Sequence, residues 1–136
     1  MGADPASLRL FVDENLLGVG KVLERACRDV VHAGHPLVPG APLGAFDTEW
    51  IPAVAAAGLI VITRDRRIRT RTAELEKLKR SGLRVFNIAG KQDLTTWGYL
   101  VRLVRRWDDI ERLIVARGAG PWFMAVHESR VTEVVV

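Results

Sequence analysis

The chain has 136 residues, a net charge of +4, 49% hydrophobic and 26% charged residues, and one cysteine. That length supports one substantial core, so residues 1–136 are expected to form a single domain of ordinary globular composition. The lone Cys27 excludes an internal disulfide and a cysteine-built zinc cluster. The apolar run at 51–62 falls short of the roughly 18–20 residues that span a bilayer, and the opening MGADPASLR lacks a charged-then-apolar signal pattern, so no membrane association and a cytoplasmic location are expected.

Leu8–Val12 is a short apolar, β-favouring run and reads as a buried strand. Leu16, Val19, Leu23 and Ala26 then recur at helical spacing, although Gly18 and Gly20 weaken that helix. Cys27 continues the helical pattern and reads as a core residue. Residues 29–32 (DVVH) form a second short strand, and the Gly-, Pro- and Ala-rich stretch 34–45 a long loop of the kind that is often functional. Asp47 is placed to cap a helix whose apolar face is Trp50, Ile51, Val54 and Ala55, with Pro52 in its first turn and Gly58 at its end. Leu59–Thr63 is apolar enough for a strand covered on both faces. Residues 70–81 read as a helix closed by Gly82, and Leu83–Ile88 as a further strand. One long helix runs from Thr95 or Thr96 to Ile114 before the break at Gly118–Gly120. Trp122–Val126 and Val131–Val136 are two last strands, read as a hairpin. Strands alternating with helices predict an α/β fold with a mostly parallel sheet and helices on both faces.

The charge is not spread evenly. Residues 64–80 hold eight basic and three acidic residues, a net +5, and the rest of the chain, with twelve basic and thirteen acidic, is −1. RDRRIRTR has almost no acids to pair with, and such a focused basic strip favours a polyanionic partner. The carboxylates are also placed suggestively. Asp13 and Glu14 follow the first strand, and Asp65 follows Leu59–Thr63. In a parallel sheet those carboxyl ends share one edge, where ligand-handling groups gather. Spacing alone leaves open whether Asp47 shares that edge. Clustered carboxylates without cysteine favour hard cations, Mg²⁺ or Mn²⁺, and beside a basic strip they suit a phosphodiester: acids for the metal, bases for the flanking phosphates. Each residue also has an ordinary reading. Asp13 would be a strand-end group bonded to backbone amides, Glu14 a solvent-facing neighbour, Asp47 a helix cap and Asp65 the start of a turn.

LFVDENL, then DTEWIPAVAAAG, then LIVITRD, in this order over residues 8–70, resemble the PIN-like domains, and in particular the compact branch with an N-terminal Asp-Glu-Asn-Leu motif, often described as VapC-type toxins. The resemblance implies a three-layer α/β fold and a metal-dependent ribonuclease, the toxin of a toxin–antitoxin pair. It places Asp13, Asp47 and Asp65 as the metal-binding acids, Thr63 as the hydroxyl residue before the last of them, and Glu14 and Asn15 within the motif. On this reading Arg64, Arg66, Arg67, Arg69 and Arg71 hold the RNA backbone. PIN domains commonly carry a fourth acid; here Asn87 stands after the next strand's apolar core, and Glu128 is remote, which weighs against two-metal chemistry.

Two other functions fit parts of the sequence. A phospho-receiver domain also places an acidic pair after its first strand, but it needs a late lysine, and Lys91 is loosely placed. The other is an inactive PIN-like module that binds nucleic acid or protein. His32, His35 and His127 have no acid–base partner at recognisable spacing. Trp50, Trp97, Tyr99 and Trp107 read as core packing, and Trp122, beside Gly120-Pro121, as the exposed aromatic. VTEVVV reads as an edge strand open to an antitoxin or a second copy of the chain.

Overall fold

A computed structural model describes residues 2–136. It is a three-layer α/β fold around one six-stranded sheet of order β2-β1-β3-β4-β5-β6, parallel except for β6. The strands are β1 (Leu10–Val12), β2 (Val30–His32), β3 (Ile60–Thr63), β4 (Arg84–Ile88), β5 (Trp122–Val126) and β6 (Val131–Val134). The helices are α1 (Leu17–Ala26), α2 (Asp47–Ala56), α3 (Arg67–Thr70), α4 (Thr72–Ser81), α5 (Thr96–Arg105) and α6 (Trp107–Arg117), with a 3-10 turn at Glu14–Leu16.

Side chains alternate across a strand, so each central strand feeds two cores. Leu10, Val12, Ile60, Ile62, Phe86 and Met124 face α1, α5 and α6. Phe11, Val31, Val61, Val85 and Phe123 face α2, α3, α4 and the loop after β2. Both faces being covered explains why β3 is apolar until Thr63. No helix among the described residues is long and apolar enough to cross a membrane.

Several local expectations shift. The first strand begins at Leu10, not Leu8. The helix expected over 70–81 starts at Thr72, because Arg71 is extended and separates it from the short α3. The single long helix is two: the chain turns at Arg106, and Asp108 and Asp109 supply α6 with its own acidic first turn. Asp47 is the first residue of α2 rather than its cap, Phe46 holding the cap position without a side-chain bond. Pro52 lies in the second turn, where it cannot donate to Thr48. Trp122 is buried, edge-on to Phe86 at 5.2 Å, and its indole N–H donates to Gly118 O. Trp97 is exposed instead; Tyr99 and Trp50 are buried. Cys27 is half-buried against the α1 core.

The glycines that weaken α1 by propensity have a packing role. A Cβ on Gly20 would stand 2.7 Å from His32 Cβ and 3.1 Å from Val12 Cβ, so the missing side chain is what seats α1 against β1 and β2. Gly20→Ala is expected to destabilise the protein by about 1–3 kcal/mol in a denaturant melt, despite alanine's better helix propensity. Gly18, whose absent Cβ would meet only the side chain of Thr96, is expected to tolerate the same change far better.

Candidate active site

At the carboxyl edge of the sheet the apolar strands end in polar residues. Asp13 stands one residue beyond the Val12–Ile62 pair, and Thr63 pairs with Asn87 in β4. By strand alternation Asp13, Thr63 and Asn87 point to one face, the side of α2 and α4. All three are buried.

Asp13 is held closely. Its Oδ1 accepts from the Glu14 backbone N–H at 2.7 Å, capping the 3-10 turn, and its Oδ2 accepts from Thr63 Oγ1 at 2.8 Å. Asn15 Nδ2 lies 3.3 Å from the same Oδ2 and 3.1 Å from Thr63 Oγ1, while the Asp65 backbone N–H donates to Thr63 Oγ1 at 3.0 Å. Thr63 thus links the two loops that carry Asp13 and Asp65. Burial, reinforced by the negative charges of Asp47 and Asp65, pushes the Asp13 carboxyl up to about 6 against these hydrogen bonds. The charges of Asp47 and Asp65 add to the rise at Asp13, of which burial is the main cause.

Asp47, at the start of α2, accepts from Trp50 Nε1 at 2.9 Å. Glu14 is exposed, and its Oε1 accepts from the Gly44 N–H at 2.6 Å, fastening the end of the long loop beside the first strand. Asp13, Glu14, Asn15, Asp47, Asp65 and Arg67 all border a cleft of about 270 Å³ walled by Phe11, Trp50 and the 41–45 end of that loop. The cleft answers the question that spacing left open: Asp47 lies with the other acids.

Asp65 already has a cation. Arg67 reaches it through three guanidinium contacts of 2.8–3.1 Å, and the Arg67 backbone N–H adds a fourth bond at 2.9 Å. Burial alone would push Asp65 up; the hydrogen bonds and charge of Arg67, with Arg71 nearby, outweigh it and hold the carboxyl below its ordinary range. Arg67→Gln is therefore expected to move the Asp65 titration upward, read from its carboxyl carbon by NMR, and an unmoved midpoint would contradict the pairing.

The remaining arginines diverge. Arg64 turns toward the α1 and α5 side, donating to Asp93 at 2.7 Å and to the Tyr99 hydroxyl at 3.0 Å, with its guanidinium over the Tyr99 ring. Arg66 and Arg69 line a different hollow beyond Thr63, next to Asn87. The strip that looked continuous in sequence serves three neighbourhoods. Asn15, Asp93 and Tyr99 were missed as partners; only Asn15 carried a signal, by standing within DEN.

Among the described residues no group of three or more His, Cys, Asp or Glu is arranged to hold a metal ion. Arg67 occupies Asp65, and Trp50 orients Asp47. The oxygen-only donor set does suit a magnesium-type cation, which takes one or two carboxylates and keeps its waters. Asp13, buried in the wall of the cleft and raised chiefly by that burial, is the carboxylate that a cation would relieve most. The residues fit one ion held by Asp13 with help from Asp47 or a freed Asp65, and do not form a preset three-carboxylate cage.

An acid-lined cleft at the carboxyl edge of a mostly parallel sheet defines the class: a three-layer α/β protein with a candidate metal centre. Residues 8–90 match the family described as PIN like domain, and the chain belongs to that family, whose members are commonly nucleases and generally use divalent metal ions. No curated protein and no solved structure matches the chain.

Proposed function

We propose that the protein is a metal-dependent endoribonuclease of the PIN-like family, the toxin of a toxin–antitoxin pair, that hydrolyses phosphodiester bonds in RNA. The observation that carries this reading is the buried Asp13, raised by its burial and further by Asp47 and Asp65 in one open cleft, with Arg67 beside it. A divalent ion there, Mg²⁺ or Mn²⁺, would supply positive charge next to a phosphodiester's oxygens and acidify a water. The chain's own residues do the rest. Thr63 and the Glu14 N–H fix the orientation of Asp13. Arg67 and Arg71 present positive charge at the mouth, where a phosphate competes with Asp65 for Arg67. Exposed Phe46, next to Asp47 in the chain, leaves apolar surface for an unpaired base.

The test is cleavage of a mixed pool of structured and single-stranded RNA with Mn²⁺, Mg²⁺ or EDTA. Metal-dependent cutting supports the reading, and cutting that persists in EDTA sinks it. A binding module without catalysis is the second reading, favoured by the engaged Asp65 and by Asn87 standing where a fourth acid was expected. It requires RNA binding without cutting under every metal condition. The partner surface we propose is the edge strand β6, with Val135 fully open beside it, for an antitoxin or a second copy.

A further inference from the structure

Asp13 and Glu14 are neighbours in the chain, yet their carboxylates serve different parts of the fold. Asp13 is buried in the wall of the cleft. Glu14 is exposed, and its Oε1 reaches across 30 positions of sequence to accept from the Gly44 N–H at 2.6 Å. A hydrogen bond from a backbone N–H to an ionised carboxylate is of the stronger, charge-assisted kind. Both partners border the acidic cleft, Glu14 from the end of β1 and Gly44 from the loop that walls it.

That loop is firmly seated only in its first part. Val38 and Ala41 are buried, and the chain around them is closed by Val38 N–H to His35 O, Ala41 N–H to Val38 O and Gly34 N–H to Ala41 O. Beyond Ala41 it comes to the surface. Pro42, Leu43, Gly44 and Phe46 are exposed before Trp50 and Ile51 re-enter the core. Among the described residues, the other hydrogen bonds of 42–46 are local: Ala45 N–H to Pro42 O, and the Glu49 and Trp50 N–H groups to Phe46 O. A stretch with so few buried contacts opens easily unless something ties it. Gly44 has a φ of 80°, and a Cβ there would meet nothing within 4 Å, so glycine serves the backbone conformation and not a lack of space. Phe46 and Asp47 follow directly, so the place where Gly44 is held sets where α2 begins.

We infer that Glu14 is a positioning residue: a latch that holds the 42–46 wall of the cleft and, through it, the Asp47 carboxylate. The second acid of Asp-Glu-Asn-Leu is then a loop tie and not a metal ligand. It works as a hydrogen-bond acceptor, and its charge takes no part in the chemistry. The effect on cutting rests on the nuclease reading; the latch itself does not.

The experiment compares Glu14→Ala with Glu14→Gln in the full chain. Both lose the charge, but glutamine keeps a side-chain oxygen that can accept from Gly44. Both keep the Glu14 backbone N–H that Asp13 accepts, so their melting temperatures are expected to hold. The first readout is NMR of the ¹⁵N-labelled protein in EDTA without RNA. It follows the Gly44 amide and the Trp50 indole N–H, which reports on Asp47 because it donates to that carboxylate. Both signals are expected to move in Glu14→Ala and to return toward wild type in Glu14→Gln, while the Val38 amide stays in place. The second readout is RNA cleavage with Mn²⁺. Glu14→Ala is expected to cut about tenfold more slowly, and Glu14→Gln to recover most of that loss. A Gly44 amide indifferent to alanine overturns the latch. A moved Gly44 amide with an unmoved Trp50 indole overturns the positioning of Asp47. Cutting as poor in glutamine as in alanine, with the Gly44 signal restored, overturns the inference by giving the Glu14 charge a direct part in the chemistry. If the wild type does not cut, the nuclease reading falls, and the two NMR signals decide the latch alone.

Discussion

Asp13→Asn and Asp65→Asn are each expected to lower metal-dependent RNA cleavage by more than about 100-fold, the loss that removing groups merely supporting a metal ligand can approach. Asparagine preserves the shape of both sites. At position 13 its amide oxygen can still accept from the Glu14 N–H, so the 3-10 turn keeps its cap. At position 65 it weakens the pair with Arg67, whose guanidinium is open to solvent, while the amide oxygen can still accept from the Arg67 backbone N–H, so the stability cost is expected to be modest. What each change removes is negative charge at the cleft. Loss of cutting with an intact melt therefore reports on chemistry and not on folding. Thr63→Val serves as the graded case. It deletes the hydroxyl that donates to Asp13 and accepts from the Asp65 N–H, so it should reduce cleavage less than either aspartate change. Undiminished cutting in both asparagine variants would remove the acidic cleft from the mechanism.

The elements that the sequence revealed most clearly are those whose environment is uniform along their length. Leu59–Thr63 is apolar because two layers cover it, and that pattern needs no tertiary knowledge. The same strands carried the site: an apolar run ending in a carboxylate in a parallel sheet puts that carboxylate at the ligand edge. Asp13 and Asp65 were legible for this reason. Asp47 was legible as a helix start but not as a cleft residue, because the loop at 34–45 decides where α2 enters, and that loop has no periodicity. The break at Arg106 was hidden because the apolar spacing runs through it from Leu103 to Ile110. Trp97 and Trp122 exchanged expected roles. Helical spacing says which residues share a face but not which face is covered, and a Gly-Pro neighbour says nothing about burial of the strand that follows. The arginine strip was visible as charge, but its division among Asp93, Asp65 and the Asn87 pocket depends on contacts up to tens of residues away.

The second large effect concerns stability, and its sign is set by Asp13. The folded protein holds this proton more tightly than the unfolded chain, where an aspartate titrates near its ordinary value of about 3.9; in the fold it titrates at about 6. Protonation thus stabilises the fold. That contribution is fully present below the unfolded pKa and is lost as pH rises from about 4 through about 6. A shift of this size corresponds to roughly 2–3 kcal/mol, an upper bound because the cleft admits water. Other carboxylates, Asp65 among them, act in the opposite sense, so the comparison that isolates Asp13 is wild type against Asp13→Asn in EDTA. Near neutral pH the variant is expected to be more stable by about 1 kcal/mol, part of the electrostatic gain being lost with the carboxylate acceptor for Thr63. The difference should shrink as pH falls below about 5. Adding Mg²⁺ or Mn²⁺ should reverse the order. An ion that binds only the folded wild type at 100 times its dissociation constant adds about 2.7 kcal/mol, and the variant should gain little. A wild-type melt that ignores both metals, or a variant whose pH profile parallels the wild type, would mean that the three aspartates do not act as one charged site.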